Sequence, residues 1–256
     1  MNLTQYSITG SGRLIILVHG VGLNQYMWGP VIDELKSDFT CVTFDLLGHG
    51  QAPHIRGTPT LIDFTKRLFL LINQLGPLKP VVVGFSMGAM VAKRLVIDNP
   101  DLIGGLVIAH SVFDRSSSQR KTALERLYSA RKSGLTEIVE PAIQRWFTTS
   151  FKENNPLVIE KVRHTLLRNN MANYQKSYKV FALGDQELVP LVNKIRCPTA
   201  IVTGEHDINS TPLMSRFLSK QIKGADVTIL KGLAHGAPIE APKIFADVIK
   251  ETLTKW

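Results

Sequence analysis

The stretch Val81-Val82-Val83-Gly84-Phe85-Ser86-Met87-Gly88-Ala89-Met90-Val91-Ala92-Lys93-Arg94 runs from a β-branched apolar triplet, through a serine with glycines two positions to either side, into a helical pattern. It reads as strand, sharp turn, helix. A serine on such a turn is held in strained backbone geometry, and small residues must flank it so that strand and helix can approach each other. Gly84, Gly88 and Ala89 meet that need. The pentapeptide Gly84-Phe85-Ser86-Met87-Gly88 alone arises often by chance, and its context makes it specific. The competing reading, a buried serine in a glycine turn, has to be weighed against the partners found elsewhere in the chain.

Outward from this turn, short apolar runs recur at Leu14–Val18, Cys41–Phe44, Val81–Val83, Leu106–Ala109, Thr199–Thr203 and Val227–Leu230. Runs apolar on both faces suit a parallel sheet. Helix-length segments separate most of them: Thr60–Leu75, Met87–Asn99, Thr211–Lys223 and Pro242–Thr254. That alternation predicts an α/β core with a mostly parallel, doubly wound sheet. The region from about Asp114 to Pro190 breaks the rhythm with amphipathic stretches at Lys121–Lys132, Thr136–Thr148, Pro156–Asn169 and Tyr174–Gly184 and no convincing strand. We expect one domain of 256 residues carrying a helical cap inserted over about 114–190.

A serine hydroxyl is a poor nucleophile until a base takes its proton, so the chain should supply a histidine and an acid to orient it, in the order Ser, acid, His. Asp207, in Thr203-Gly204-Glu205-His206-Asp207 after a strand-like run, is the best-placed acid. Glu205, nearer the strand end, and Asp114, after an earlier strand, are alternatives. His235, in Lys231-Gly232-Leu233-Ala234-His235-Gly236 after the last apolar run, is the expected base. Acyl transfer also needs N–H donors aimed at the developing oxyanion. Met87, directly after the serine, and Val21, in His19-Gly20-Val21-Gly22, are the expected pair. His19 reads as structural, fixing its loop by hydrogen bonds. His110 reads as a satisfied pocket-wall residue, and His54, His164 and His206 as loop or surface residues. No histidine pair shows metal-ligand spacing beside a carboxylate set, so neither a metal nor a cofactor is expected.

With 44% hydrophobic and 20% charged residues the chain composition is that of a globular protein, not a disordered one. The net charge of +9 comes without a dense Lys/Arg run or an aromatic-basic repeat, which argues against nucleic-acid binding and for a small anionic substrate. The cap carries thirteen Lys and Arg against eight Asp and Glu, so the positive charge is concentrated there. Cys41 and Cys197 are isolated and suggest reduced, structural thiols. The opening Met1-Asn2-Leu3-Thr4 and its continuation lack a signal-peptide pattern, and no later run approaches membrane-spanning length. The expectation is a cytoplasmic protein with no membrane partner, its oligomeric state open.

Together, His19-Gly20, Asp45-Leu46-Leu47-Gly48-His49-Gly50, the serine turn, Gly204-Glu205-His206-Asp207 and the Gly232–Gly236 loop resemble the α/β-hydrolase superfamily across essentially the whole chain. Spacing and cap look most like small catabolic members: 3-oxoadipate enol-lactonases, C–C-bond hydrolases of meta-cleavage products, and hydrolases of (acylaminomethylene)succinates. Serine at the turn, where haloalkane dehalogenases and epoxide hydrolases carry aspartate, argues against those branches. The resemblance implies attack by Ser86 on an ester, enol-lactone or amide carbonyl of a small carboxylated metabolite. Rival readings are a C–C-bond hydrolase, a general carboxylesterase, a cofactor-free peroxidase or acyltransferase, and a non-catalytic binding module, which would normally have lost a triad member. Caps of this superfamily usually roof the pocket. Arg145 and Trp146 are the first substrate-binding candidates, ahead of Arg115, Arg120, Arg126, Arg163 and Arg168. Trp28 and Phe113 suit core packing better than the pocket.

Overall fold

The computed structural model describes residues 4–256, apart from the side chains at positions 130 and 133, so the first three residues of the opening stretch lie outside the described residues. Seven strands form one sheet: β1 (Tyr6–Thr9), β2 (Arg13–Val18), β3 (Phe39–Phe44), β4 (Val81–Phe85), β5 (Gly105–Ala109), β6 (Thr199–Gly204) and β7 (Asp226–Leu230). Their order is β1-β3-β2-β4-β5-β6-β7, and every pairing is parallel except that of β1 with β3. Each predicted strand is present and runs one or two residues longer. β1 was not anticipated: its four residues are all exposed, so no buried face imprints an alternation on the sequence.

Helices α1 (Gly29–Leu35), α2 (Leu61–Leu75) and α3 (Met87–Asp98) follow β2, β3 and β4. Between β5 and β6 stand α4 (Ser117–Ser133), α5 (Thr136–Trp146), α6 (Thr149–Asn154), α7 (Pro156–Leu167), α8 (Met171–Leu183) and α9 (Asp185–Leu188). α10 (Pro212–Gln221) links β6 to β7, and α11 (Ala237–Glu240) and α12 (Pro242–Leu253) complete the chain. α1 was also missed; it is a seven-residue helix entered through Gly29-Pro30, too short for a full apolar period.

The inner strands of the sheet are buried on both sides, which their sequence predicts. In β2, Ile16 and Val18 join the core shared with α2 and α3 (Phe64, Leu68, Met90, Val91), whereas Ile15 and Leu17 join the core shared with α1 and α12 (Val31, Leu35, Phe245, Ile249). Strand residues pointing alternately to two apolar layers leave no polar face, hence the unbroken apolar runs. α2 starts on a capping box in which Thr60 N–H donates to Asp63 Oδ2 at 2.8 Å. Cys41 and Cys197 are free thiols, as expected, and burial pushes Cys41 up to about 11.

This framework sets the carboxyl ends of β2, β4, β6 and β7 along one edge. The loops carrying Val21, Ser86, Asp207 and His235 leave from that edge, so a site for chemistry is assembled by parallel strands and not by proximity in sequence.

Candidate active site

Ser86 joins β4 to α3 with φ 55° and ψ −114°, in the region that β-substituted residues normally avoid. Such strain persists only where the surroundings over-determine it. Ser86 N–H donates to Ala109 O at 2.9 Å, and Ser86 O accepts from Ala89 N–H at 3.1 Å. The glycines are dictated by contact. A Cβ on Gly84 would stand 2.6 Å from Ala89 Cα, and one on Gly88 would overlap the carbonyl oxygens of Val18 and His19. The turn therefore presents the serine hydroxyl toward the pocket while α3 packs against β2 with no side chain between.

Of the three candidate acids, the structure brings Asp207 to the histidine. His235 Nδ1 lies 2.6 Å from Asp207 Oδ2. Glu205 is exposed and accepts from Gly232 N–H at 2.9 Å, and Asp114 is exposed at φ 49°. The second oxygen, Asp207 Oδ1, accepts from Asn209 N–H at 3.0 Å and Ser210 N–H at 2.9 Å. Burial on its own would raise the Asp207 carboxyl, but the adjoining imidazoles and their N–H groups outweigh it and hold the group well below the usual carboxylate range. An ionised Oδ2 only accepts, so His235 donates to it through Nδ1–H. His235 Nε2 and Ser86 Oγ have no hydrogen-bond partner among the described residues, and both residues line one cavity.

His110 corrects the sequence reading. It is not a satisfied pocket-wall residue: its Nδ1 lies 2.9 Å from the same Asp207 Oδ2, and its Nε2 is buried without a partner among the described residues. His110, Asp207 and His235 are thus the one group of three His, Cys, Asp or Glu residues among the described residues whose ligand-type atoms lie within 4.8 Å of one another. Both Nδ1 atoms already point at one oxygen at hydrogen-bond length, which makes the cluster a hydrogen-bonded one. No signal in the sequence links His110 to a residue 97 positions away.

Val21 and Met87 are the two residues whose N–H groups the sequence offers as oxyanion donors. Neither Val21 N–H nor Met87 N–H has a partner among the described residues, although both residues are buried, whereas Gly22 N–H donates to His49 Nε2 at 3.0 Å. His19 Nε2 accepts from Leu46 N–H at 2.9 Å while Nδ1 donates to Gly20 O at 2.8 Å, the structural role read from the sequence. The two histidines brace the Val21 loop against the Asp45–Gly50 turn as neutral imidazoles. Burial, followed by the nearby His19, pushes His49 down to about 3, and burial also lowers His19. A group whose folded value is depressed stabilises the fold fully above its unfolded value and loses that contribution as the pH falls. Thermal midpoints should therefore decline from pH 7.5 to 5, by up to about 1.4 kcal/mol of stability per pH unit for each such histidine. A midpoint that stays flat over that window would contradict the assignment.

The cavity, of about 260 Å³, has Val21, Ser86 and His235 on its sheet side. α4, α5 and α8 contribute Arg126, Arg145, Trp146, Tyr174 and Tyr178 opposite. The Trp146 ring centroid is 5.9 Å from that of His235, and Trp146 O accepts from Gly236 N–H at 2.6 Å. The structure also sorts the arginines. Arg115 and Arg120 converge on buried Asp185, at 3.4 and 3.3 Å, and hold the start of α4 to α9. Arg163 pairs with Glu140 and Glu160 at the surface, and Arg168 is exposed. Arg126 and Arg145 line the cavity without an acidic partner within ion-pair distance among the described residues. Arg126 donates to Asn209 Oδ1 at 3.2 Å, and Arg145 Nε is buried with no partner among the described residues. Burial, then the like charge of Arg126, depresses Arg145. Trp28 is core, stacked edge-on to Phe85 at 6.3 Å.

A doubly wound, mostly parallel sheet with a strained serine turn and an Asp–His pair at its carboxyl edge defines a hydrolase architecture. The chain matches the Alpha/beta hydrolase family over residues 15–248 and belongs to that family. It is 30% identical over 253 residues to the (E)-2-((N-methylformamido)methylene)succinate hydrolase of Acinetobacter baylyi, covering 98% of this chain and 92% of that protein. It is 24% identical to 3-oxoadipate enol-lactonase 2 of the same organism, over 94% of this chain and 89% of that protein. The enol-lactonase crystal structure from Burkholderia xenovorans LB400 superimposes with a TM-score of 0.90 at 24% identity, covering 98% of this chain and 96% of that one. A malate-bound thermophilic esterase from Thermogutta terrifontis does so with a TM-score of 0.85 at 28% identity, covering 98% and 93%. This protein is a hydrolytic enzyme. Among the described residues no helix is long and apolar enough to cross a membrane.

Proposed function

We propose that this enzyme is a serine hydrolase that cleaves an ester, enol-lactone or amide bond of a small carboxylated metabolite. The observation that carries this reading is Asp207 Oδ2 holding His235 Nδ1 at 2.6 Å, with His235 sharing one cavity with the strained Ser86. Ser86 Oγ attacks the carbonyl carbon as His235 Nε2 takes its proton. The Val21 and Met87 N–H groups receive the oxyanion, each worth about 3 kcal/mol of barrier. Collapse breaks the bond to the leaving oxygen or nitrogen, which takes the proton from His235. Water, deprotonated by His235, then attacks the acyl-serine and releases the acid.

We read the helices of residues 114–190 as a cap that roofs this site on a single domain. Arg145, with Trp146 beside it and Arg126 facing the same space, is its carboxylate binder: two guanidinium groups without an acidic partner in a confined cavity favour an anionic ligand. The succinate in the name of the Acinetobacter relative and the malate in the Thermogutta esterase support the same chemistry, and the amide of an (acylaminomethylene)succinate is the specific substrate we favour.

Fluorophosphonate treatment with mass-spectrometric mapping tests the mechanism: a single adduct on Ser86 is expected, and an adduct elsewhere, or none, would refute it. Arg145→Met should lower the selectivity for 4-nitrophenyl hydrogen succinate over 4-nitrophenyl acetate by roughly 10–100-fold in kcat/KM. Unchanged selectivity would remove Arg145 from substrate binding.

A further inference from the structure

His110 carries two local costs that packing does not explain. Its φ of 51° puts a β-substituted residue in left-handed backbone, and its Nε2 is buried with no hydrogen-bond partner among the described residues. Strain and an unsatisfied polar atom at one residue mark a position held for another purpose. The chain sets it there firmly: His110 N–H donates to Val202 O at 2.7 Å, which ties the end of β5 to β6, the strand that leads to Asp207. Its ring packs against Phe85 at 5.6 Å and edge-on against His235 at 5.5 Å. His110 is fully buried and is not among the residues that line the cavity.

We infer that His110 is a positioning residue: its Nδ1–H anchors Asp207 Oδ2 and draws part of the carboxylate charge away from His235. This inference rests on the serine-hydrolase reading above. The carboxylate, which only accepts, receives four N–H groups: His235 and His110 on Oδ2, Asn209 and Ser210 on Oδ1. The titratable groups facing His110 are Asp207 and His235, and those facing Asp207 are the two histidines. Burial disfavours a second proton on His110, so it remains a neutral donor while His235 gains and loses its proton.

Loss of this donor leaves the whole carboxylate charge to His235, which then retains its proton to higher pH. The measurement is the rate of fluorophosphonate labelling of Ser86 between about pH 5 and 8.5 in wild type, His110→Leu and His110→Asn. In His110→Leu the acid limb should move up by about half a pH unit and the plateau rate fall roughly tenfold. Asn places Nδ2–H where Nδ1–H stood and tolerates left-handed backbone, so His110→Asn should restore most of both. Should His110→Leu not fold, His110→Gly offers the same backbone without strain and without a donor. An acid limb that coincides with wild type in the donor-less variant overturns the inference, even if the rate falls, because lost packing slows labelling without moving the limb. A folded His110→Asn with the shifted limb of the donor-less variant overturns it too. If wild-type Ser86 is never labelled, the serine-hydrolase reading fails and the inference falls with it.

Discussion

With Ser86 replaced by alanine, turnover of any substrate the enzyme accepts should drop by roughly a millionfold, and the fluorophosphonate adduct should vanish. On the proposed mechanism the loss is that large because nucleophile and base act as a unit: without Oγ, His235 has no proton to take and the oxyanion donors receive no tetrahedral centre. The fold should survive. Alanine keeps the Cβ at φ 55°, and no hydrogen bond from Ser86 Oγ to any described residue is lost. Thermal unfolding checks that point, and kcat/KM on an aryl ester checks the first. Activity within a few hundredfold of wild type would mean that another group attacks the carbonyl, and the proposed mechanism would be wrong.

Asp207→Asn should lower kcat by roughly ten-thousandfold, whereas Glu205→Gln should stay near wild type. Asn209 and Ser210 N–H groups hold Oδ1 on their side of the carboxyl group. In the asparagine variant the amide oxygen must stay there, so its NH2 turns toward His235 and His110. Donating to His235 Nδ1, it imposes the tautomer with hydrogen on Nε2, which cannot accept the serine proton. Glu205 reaches only Gly232 N–H and faces solvent, so its amide changes nothing at the site. Equal losses in the two variants would disprove the assignment of Asp207 as the acid.

Much of the core was legible in the sequence because each element there answers to local rules. The inner parallel strands are buried on both faces and read as unbroken apolar runs, while α2, α3, α10 and α12 read as helix-length segments between the strands. The core elements that escaped, β1, α1 and α11, are an exposed edge strand and two short helices, which leave no periodic trace. The serine turn was legible for a different reason: the close approach of α3 to β2 admits no side chain at Gly88, so contact in three dimensions is written as a glycine at a fixed offset.

His110 and the arginines were not legible in this way. A histidine at the end of a strand looks the same in sequence whether it faces a carboxylate or a wall, and Arg115 and Arg120 look no different from Arg145. The distinction lies in partners 97 and about 70 residues away, Asp207 for His110 and Asp185 for the two arginines. The sequence by itself determined the six parallel strands, the serine turn, the candidate acid and base, and the candidate oxyanion loop, since each is a local pattern set by burial period or backbone geometry. Which acid meets His235, which arginines remain without an acidic partner in the cavity, and that two imidazoles share one carboxylate oxygen were decided only by the tertiary structure. Long-range electrostatic pairing depends on which side chains the sheet and the helices above it bring within hydrogen-bond reach, and no spacing along the chain encodes it.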